Sequence, residues 1–256
     1  MATAPKNRAM RNSFRMARSS AFCSCVRFFP RLLRLILPAL LAACASRPLT
    51  PSERAFTGTV MGEAVDVDEV RLVKGAVVGL IPVTVNPRPR TACREKLYPP
   101  LEEPIRANFP AFARGRTIYY TRAFWSEDFL AGYPAMLDLD QAMRLAHEMT
   151  HVWQWQERRN TGYSPFAAAF EHVGGDDPYL VEIDPARAFT DYGWEQQGSI
   201  VEEFVCCRAL DPDGARTKQL TDLVRQVFPG AAPADALPRG RTRIPWARAE
   251  LRGICS

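Results

Sequence analysis

Histidine is scarce in this chain, three in 256 residues, and two of the three fall in His147-Glu148-Met149-Thr150-His151. An α-helix turns once every 3.6 residues, so positions four apart share a face. Two imidazoles placed that way can hold one Zn²⁺ ion, and the glutamate beside the first can take a proton from a water that the ion has acidified. The spacing points to metal-assisted hydrolysis, with His147 and His151 as ligands and Glu148 as general base. A catalytic zinc needs a third protein ligand and an open position. In one extension of this motif a glycine and a third histidine follow three and six residues beyond the second histidine, but Gln154 and Glu157 stand there. An acidic ligand is therefore expected. The segment Glu195-Gln196-Gln197-Gly198-Ser199-Ile200-Val201-Glu202-Glu203 offers Glu195 in the first turn of a predicted helix, Glu202 two turns along the same face, and Glu203. Amide hydrolysis also needs a stabiliser for the tetrahedral oxyanion besides the metal. His172, Tyr179 and Tyr192 lie between the two ligand segments, and His172 is the foremost candidate.

These residues need two helices to carry them. Asp138 or Asp140 caps the first, expected to run to about Arg159, with Ala142, Leu145, Ala146, Met149, Val152 and Trp153 as its apolar stripe. The second is expected from about Trp194 to Leu210 and a third from about Ala215 to Val227, before Pro229-Gly230. Upstream, Thr50-Pro51-Ser52-Glu53 reads as a capping box opening a helix to about Gly62. Glu69–Lys74 and Arg116–Tyr120 read as strands, and Ala76–Val85 as a further strand or a buried loop. Residues 86–110 and 160–193 are expected to be largely irregular, the latter turning at Gly174-Gly175-Asp176-Asp177-Pro178. The fold class expected is α+β, a small sheet beside the helix of the two histidines.

The first 43 residues carry eight basic residues and no acid, then an apolar run ending Leu41-Ala42-Ala43-Cys44. That order reads as a secretory signal whose Leu-Ala-Ala-Cys resembles a bacterial lipobox, making Cys44 a lipidation site. The expected organisation is a lipoprotein signal peptide at 1–43, a tether at 44–49 and one domain at 50–256. The whole chain has 33 basic and 28 acidic residues, net +5. Without the eight basic residues of the signal, 25 basic residues face 28 acidic ones, net −3, so the charge gives no support to nucleic-acid binding. Beyond Cys44 the cysteines are Cys93, Cys206, Cys207 and Cys255. An even count suggests disulfides. Neighbours such as Cys206 and Cys207 pair with each other only under strain, so Cys93 and Cys255 are their expected partners, in either order.

The sequence HEMTHVWQ followed by an EQQ-containing helix resembles the gluzincin group of zinc metallopeptidases. It is similar to bacterial proteins with an H-E-[ML]-T-H-V-W-Q helix and a later E-Q-Q-A-x-I-V segment, and the likeness spans roughly Leu49 to Leu210. More distantly it resembles the peptidase-like domain of contractile-injection-system proteins. The resemblance implies a zincin-like fold and places the third ligand on Glu195. Gly198 then falls where that group has alanine, and Ser199 where it has the acid that orients a ligand histidine. The implied protein is a zinc metallopeptidase held by membrane lipid through Cys44, facing the periplasm from the outer membrane, with a peptide or protein substrate and no nucleic-acid partner. The alternative is a zincin-fold lipoprotein without catalysis that serves as a structural or binding module.

Overall fold

The computed structural model describes residues 46–75, 82–172, 177–233 and 240–256. All of them belong to one compact unit, Leu40–Ser256. The signal segment, Cys44 and most of the expected turn at 174–178 lie outside the described residues. Among those described, no helix is long and apolar enough to cross a membrane.

Of the stretch expected as a tether, residues 46–49 are instead part of the fold. Ser46–Arg47 (β1) pairs antiparallel with Arg71–Lys74 (β2), and Leu49 is buried. The physical reason is Glu53. Its carboxylate is fully buried and accepts two hydrogen bonds from the Arg47 guanidinium, at 2.7 and 2.8 Å. A buried carboxylate must be paired, so the segment carrying its partner is drawn onto the domain. Glu53 also accepts from the backbone N–H groups of Thr50 and Phe129, while the Thr50 hydroxyl accepts from Glu53 N. This reciprocal cap starts α1 (Pro51–Met61) at the expected place.

Four strands form the main sheet in the order β1-β2-β6-β5. Thr117–Tyr120 (β6) lies parallel to β2 and antiparallel to Ala111–Arg114 (β5), which is an edge strand among the described residues. Alternation sets the inward face: Leu72, Ile118 and Tyr120 are fully buried. Of the stretch expected as strand or buried loop, residues 76–81 are outside the description and Val83–Val85 (β3) pairs with Ile105–Ala107 (β4). A short helix, Cys93–Lys96 (α2), lies between them in sequence. The remaining pair joins Met136–Asp138 (β7) to Arg241–Arg243 (β8). The molecule is thus α+β.

The Asp138 carboxylate caps α3 (Leu139–Gln156) by accepting from Gln141 N. The helix was expected to reach about Arg159. It breaks at Glu157, and Arg158–Thr161 (α4) follows, stopped by Gly162 in the left-handed region at φ 73°. Pro165–Phe170 (α5) is helical within the stretch expected as irregular. Trp194–Leu210 (α6) packs along α3, and Ala215–Arg225 (α7) packs on α6. Two disulfides, Cys93–Cys206 and Cys207–Cys255, resolve the open pairing. They fasten α2 and the C-terminal segment to α6.

Candidate metal centre

His147 and His151 project from the middle of α3 one turn apart, with Glu148 next to the first, and all three are buried. Glu195 enters from the first turn of α6 and is buried as well. Its position is secured from outside its own helix. The Glu171 carboxylate accepts from Trp194 N at 2.8 Å and from Glu195 N at 3.0 Å, satisfying donors that a helix start leaves open.

The three expected ligands converge. His147 Nε2 lies 3.1 Å from Glu195 Oε2, His151 Nε2 lies 3.3 Å from the same oxygen, and the two Nε2 atoms are 3.1 Å apart. Four ligands about 2.0–2.1 Å from a tetrahedral zinc stand about 3.3 Å from one another. The donor set and its spacing therefore suit a divalent ion, and these residues form a candidate metal-binding group. Cys93, Cys207 and Cys255 also cluster, but their sulfurs are spent in the disulfides.

Glu202 and Glu203, the alternative ligands, lie elsewhere. Glu202 Oε1 is 3.6 Å from His147 Nδ1, on the far side of that ring from the convergence point, and Glu202 Oε2 pairs with Arg94 at 2.7 Å. Glu203 is fully buried and accepts from Cys93 N, Arg94 N and Arg216 Nε. Glu202 thus carries the charge beside a candidate ligand, His147, that Ser199 does not. Ser199 is buried with no hydrogen-bond partner for its Oγ among the described residues. In the sequence Gln154 stands only where the extended motif has glycine, with no role of its own. Its Oε1 meets His151 Nδ1 at 2.8 Å. Its spacing, three residues beyond His151, was a usable signal because such a residue shares the ligand's face.

Electrostatics divide the site. Burial lifts the Glu148 carboxyl above its ordinary range, against the opposing pull of His147 and His151. Burial also opposes ionisation of Glu195, yet His151, His147 and His172 together hold it well below the usual carboxylate range. Burial alone would lower the His147 imidazole, but Glu202 and Glu195 outweigh it and raise it to about 10 in the metal-free protein. The outer oxygen of Glu148, Oε2, is buried and makes no hydrogen bond among the described residues.

A cleft passes over these groups. One part, about 330 Å³, runs from β5 to α5 and is walled by Phe109, Phe112, Tyr163, Ala168, Ala169 and His172. A second part, about 310 Å³, extends toward β3 and Arg94. His147, Glu148, Ala111 and Tyr179 line both. A larger cavity of about 710 Å³, lined by Arg208 and Lys218 among others, includes none of His147, His151 and Glu195 in its lining. His172 Nε2 is 3.2 Å from Glu195 Oε1 at the cleft rim. The Tyr179 ring lies 5.8 Å from that of His147 and 5.6 Å from that of His172. Burial, then Glu195 and Glu148, push the Tyr179 phenol up, so it remains a donor. Tyr192 is not in this cleft: its hydroxyl is bonded to the backbone of Asp184.

No family model matches the chain. A stretch of 59 residues, 23% of this chain, is 39% identical to the type VI secretion system spike protein VgrG2b of Pseudomonas aeruginosa, and spans 6% of that protein. The solved effector domain of Pseudomonas aeruginosa VgrG2b superposes with a TM-score of 0.44 and 22% identity, over 77% of this chain and 92% of that domain. The sequence match overturns the expectation of a membrane-anchored, periplasm-facing peptidase. The protein that this chain is similar to is described as a secretion-system spike.

Proposed function

We propose that this chain carries a secretion-system hydrolytic domain with a zincin-like, gluzincin-type centre, in which His147, His151 and Glu195 hold Zn²⁺ and a peptide bond is cut. The observation that carries this reading is the convergence of three metal-ligating atoms at 3.1–3.3 Å beside a buried glutamate oxygen that has no partner among the described residues. The secretion-system assignment takes its support from the similarity to the VgrG2b spike protein.

When bound, zinc supplies Lewis acidity toward a water and a carbonyl. The chain's own residues do the rest. Glu148, lifted by burial, receives a proton on its carboxylate and returns it to the leaving amine. His172 at the rim and the Tyr179 hydroxyl donate toward the developing oxyanion. Among the described residues strand β5 bonds to β6 along one side only, leaving its other backbone edge to pair with an extended peptide laid in the cleft. That edge favours a peptide over a compact small molecule.

The test uses the full chain, with zinc analysis and mass-spectrometric detection of cleaved peptides. Wild type is expected to hold one zinc per chain and to cleave. His151→Ala and Glu195→Ala are expected to lose the metal. Glu148→Gln is expected to keep it while losing about 10²-fold or more in rate. Zinc at full occupancy in Glu195→Ala would remove that residue from the ligand set. Undiminished cleavage by Glu148→Gln would end the catalytic reading.

A further inference from the structure

The second ligand histidine sits at the end of a chain of amides. His151 Nδ1 lies 2.8 Å from Gln154 Oε1. Gln154 Nε2 reaches the Trp194 carbonyl at 3.0 Å and Gln197 Oε1 at 2.9 Å. Gln197 Nε2 reaches the Tyr192 carbonyl at 2.9 Å. Both glutamines are buried, Gln154 at 0% and Gln197 at 1% exposure, so bulk solvent does not reach their amides.

The direction of this chain is forced. A backbone carbonyl can only accept. The NH₂ group of Gln197 must therefore face Tyr192, which turns its oxygen toward Gln154. The NH₂ group of Gln154 must face Trp194, and it also meets that oxygen. Only the oxygen of Gln154 is then left for His151, so Nδ1 must carry the hydrogen. Turning the Gln154 amide over would set its oxygen against two acceptors and lose two buried hydrogen bonds. His147 is held differently: its Nδ1 makes no hydrogen bond among the described residues, and the Glu202 carboxylate stands 3.6 Å away.

We infer that Gln154 and Gln197 are positioning residues, an amide relay that fixes His151 as the Nδ1–H tautomer and so commits its Nε2 lone pair to the metal. This rests on the zinc centre proposed above. A ligand imidazole whose other nitrogen already donates to a fixed acceptor enters the site in the orientation the ion requires. The two ends of the site thus use different chemistry, a neutral amide chain behind His151 and a carboxylate behind His147.

The relay makes an unusual demand of a conservative change. A carboxylate behind a ligand histidine ordinarily strengthens metal binding. In Gln154→Glu, however, the second oxygen would face the Trp194 carbonyl and Gln197 Oε1, so zinc binding is expected to weaken. Full-length wild type, Gln154→Leu, Gln154→Glu and Gln197→Leu would be compared by zinc competition titration, with circular dichroism as the check on folding. Gln154→Leu is expected to lose about 10–100-fold in zinc affinity. Gln197→Leu is expected to lose less, because Trp194 still anchors Gln154. In ¹⁵N-histidine spectra of wild type, a protected Nδ1–H on His151 is expected with and without zinc. Zinc affinity in Gln154→Glu equal to or above wild type, or a His151 Nδ1 without hydrogen, would overturn the relay. If Gln154→Leu does not fold, Gln197→Leu and the wild-type spectra decide. A wild type that takes up no zinc refutes the metal centre instead, and the Nδ1–H signal then judges the relay alone.

Discussion

Gly198 shows how little room the centre leaves. A Cβ built there would lie 2.7, 2.8 and 2.9 Å from three atoms of the His147 ring. Real Cβ contacts are longer, so either the ring or α6 must move. Gly198→Ala is therefore expected to weaken zinc binding about tenfold or more while leaving the far-ultraviolet spectrum unchanged, as competition titration would measure. The same histidine sets the pH response. In the metal-free protein burial works against its charge, but Glu202 and Glu195 raise it to about 10. At neutral pH it carries a proton that zinc must displace. Apparent zinc affinity is thus expected to rise with pH through the neutral range and to level off near pH 10. Glu202→Gln, which removes the largest attraction, is expected to shift that levelling to lower pH. A flat profile between pH 6 and 9 would contradict the sign.

At the scale of elements, the site depends on the start of α6, which is capped by a side chain from another segment. Glu171 accepts from Trp194 N and Glu195 N, and it follows α5 in a stretch whose sequence gave no sign of helix. Glu171→Ala is expected to cost about 1 kcal/mol by chemical denaturation, the scale of a lost helix cap, and to lower zinc affinity because Glu195 is in the freed turn. The long helices were legible because their apolar stripes and caps are local: Thr50 with Glu53, and Asp138 with Gln141, act within one turn. Residues 46–49 were not legible as structure, because the reason they fold down is a partner for a carboxylate buried by other segments.

Across the whole molecule, two disulfides gather two separated segments, α2 and the C-terminal end, onto α6. Cys207–Cys255 closes a span of 48 residues and fixes the C-terminal end, whose Cys255 N also donates to Asp211. In the chain-entropy view a loop of that length contributes about 4 kcal/mol. The double variant Cys207→Ser/Cys255→Ser is expected to lose stability on that scale in denaturant unfolding, with zinc stoichiometry unchanged, since neither cysteine touches the metal centre. Cys93–Cys206 acts closer to the site. It holds α2, whose Arg94 pairs with Glu202 and donates to the Tyr179 carbonyl.

The amino-acid sequence by itself determined the chemistry on offer. Two histidines and a glutamate at helical spacing are a local pattern, and local geometry alone sets them on one face. It also narrowed the third ligand to a few carboxylates on a later helix. Only the tertiary structure shows that, of those carboxylates, Glu195 is the one brought beside both histidines. Glu195, Glu202 and Glu203 differ in which direction α6 presents them to α3, and that depends on packing between helices some forty residues apart. The same holds for the disulfide pairing and for Gln154 and Gln197, whose amides acquire a direction only when carbonyls from another segment come within reach.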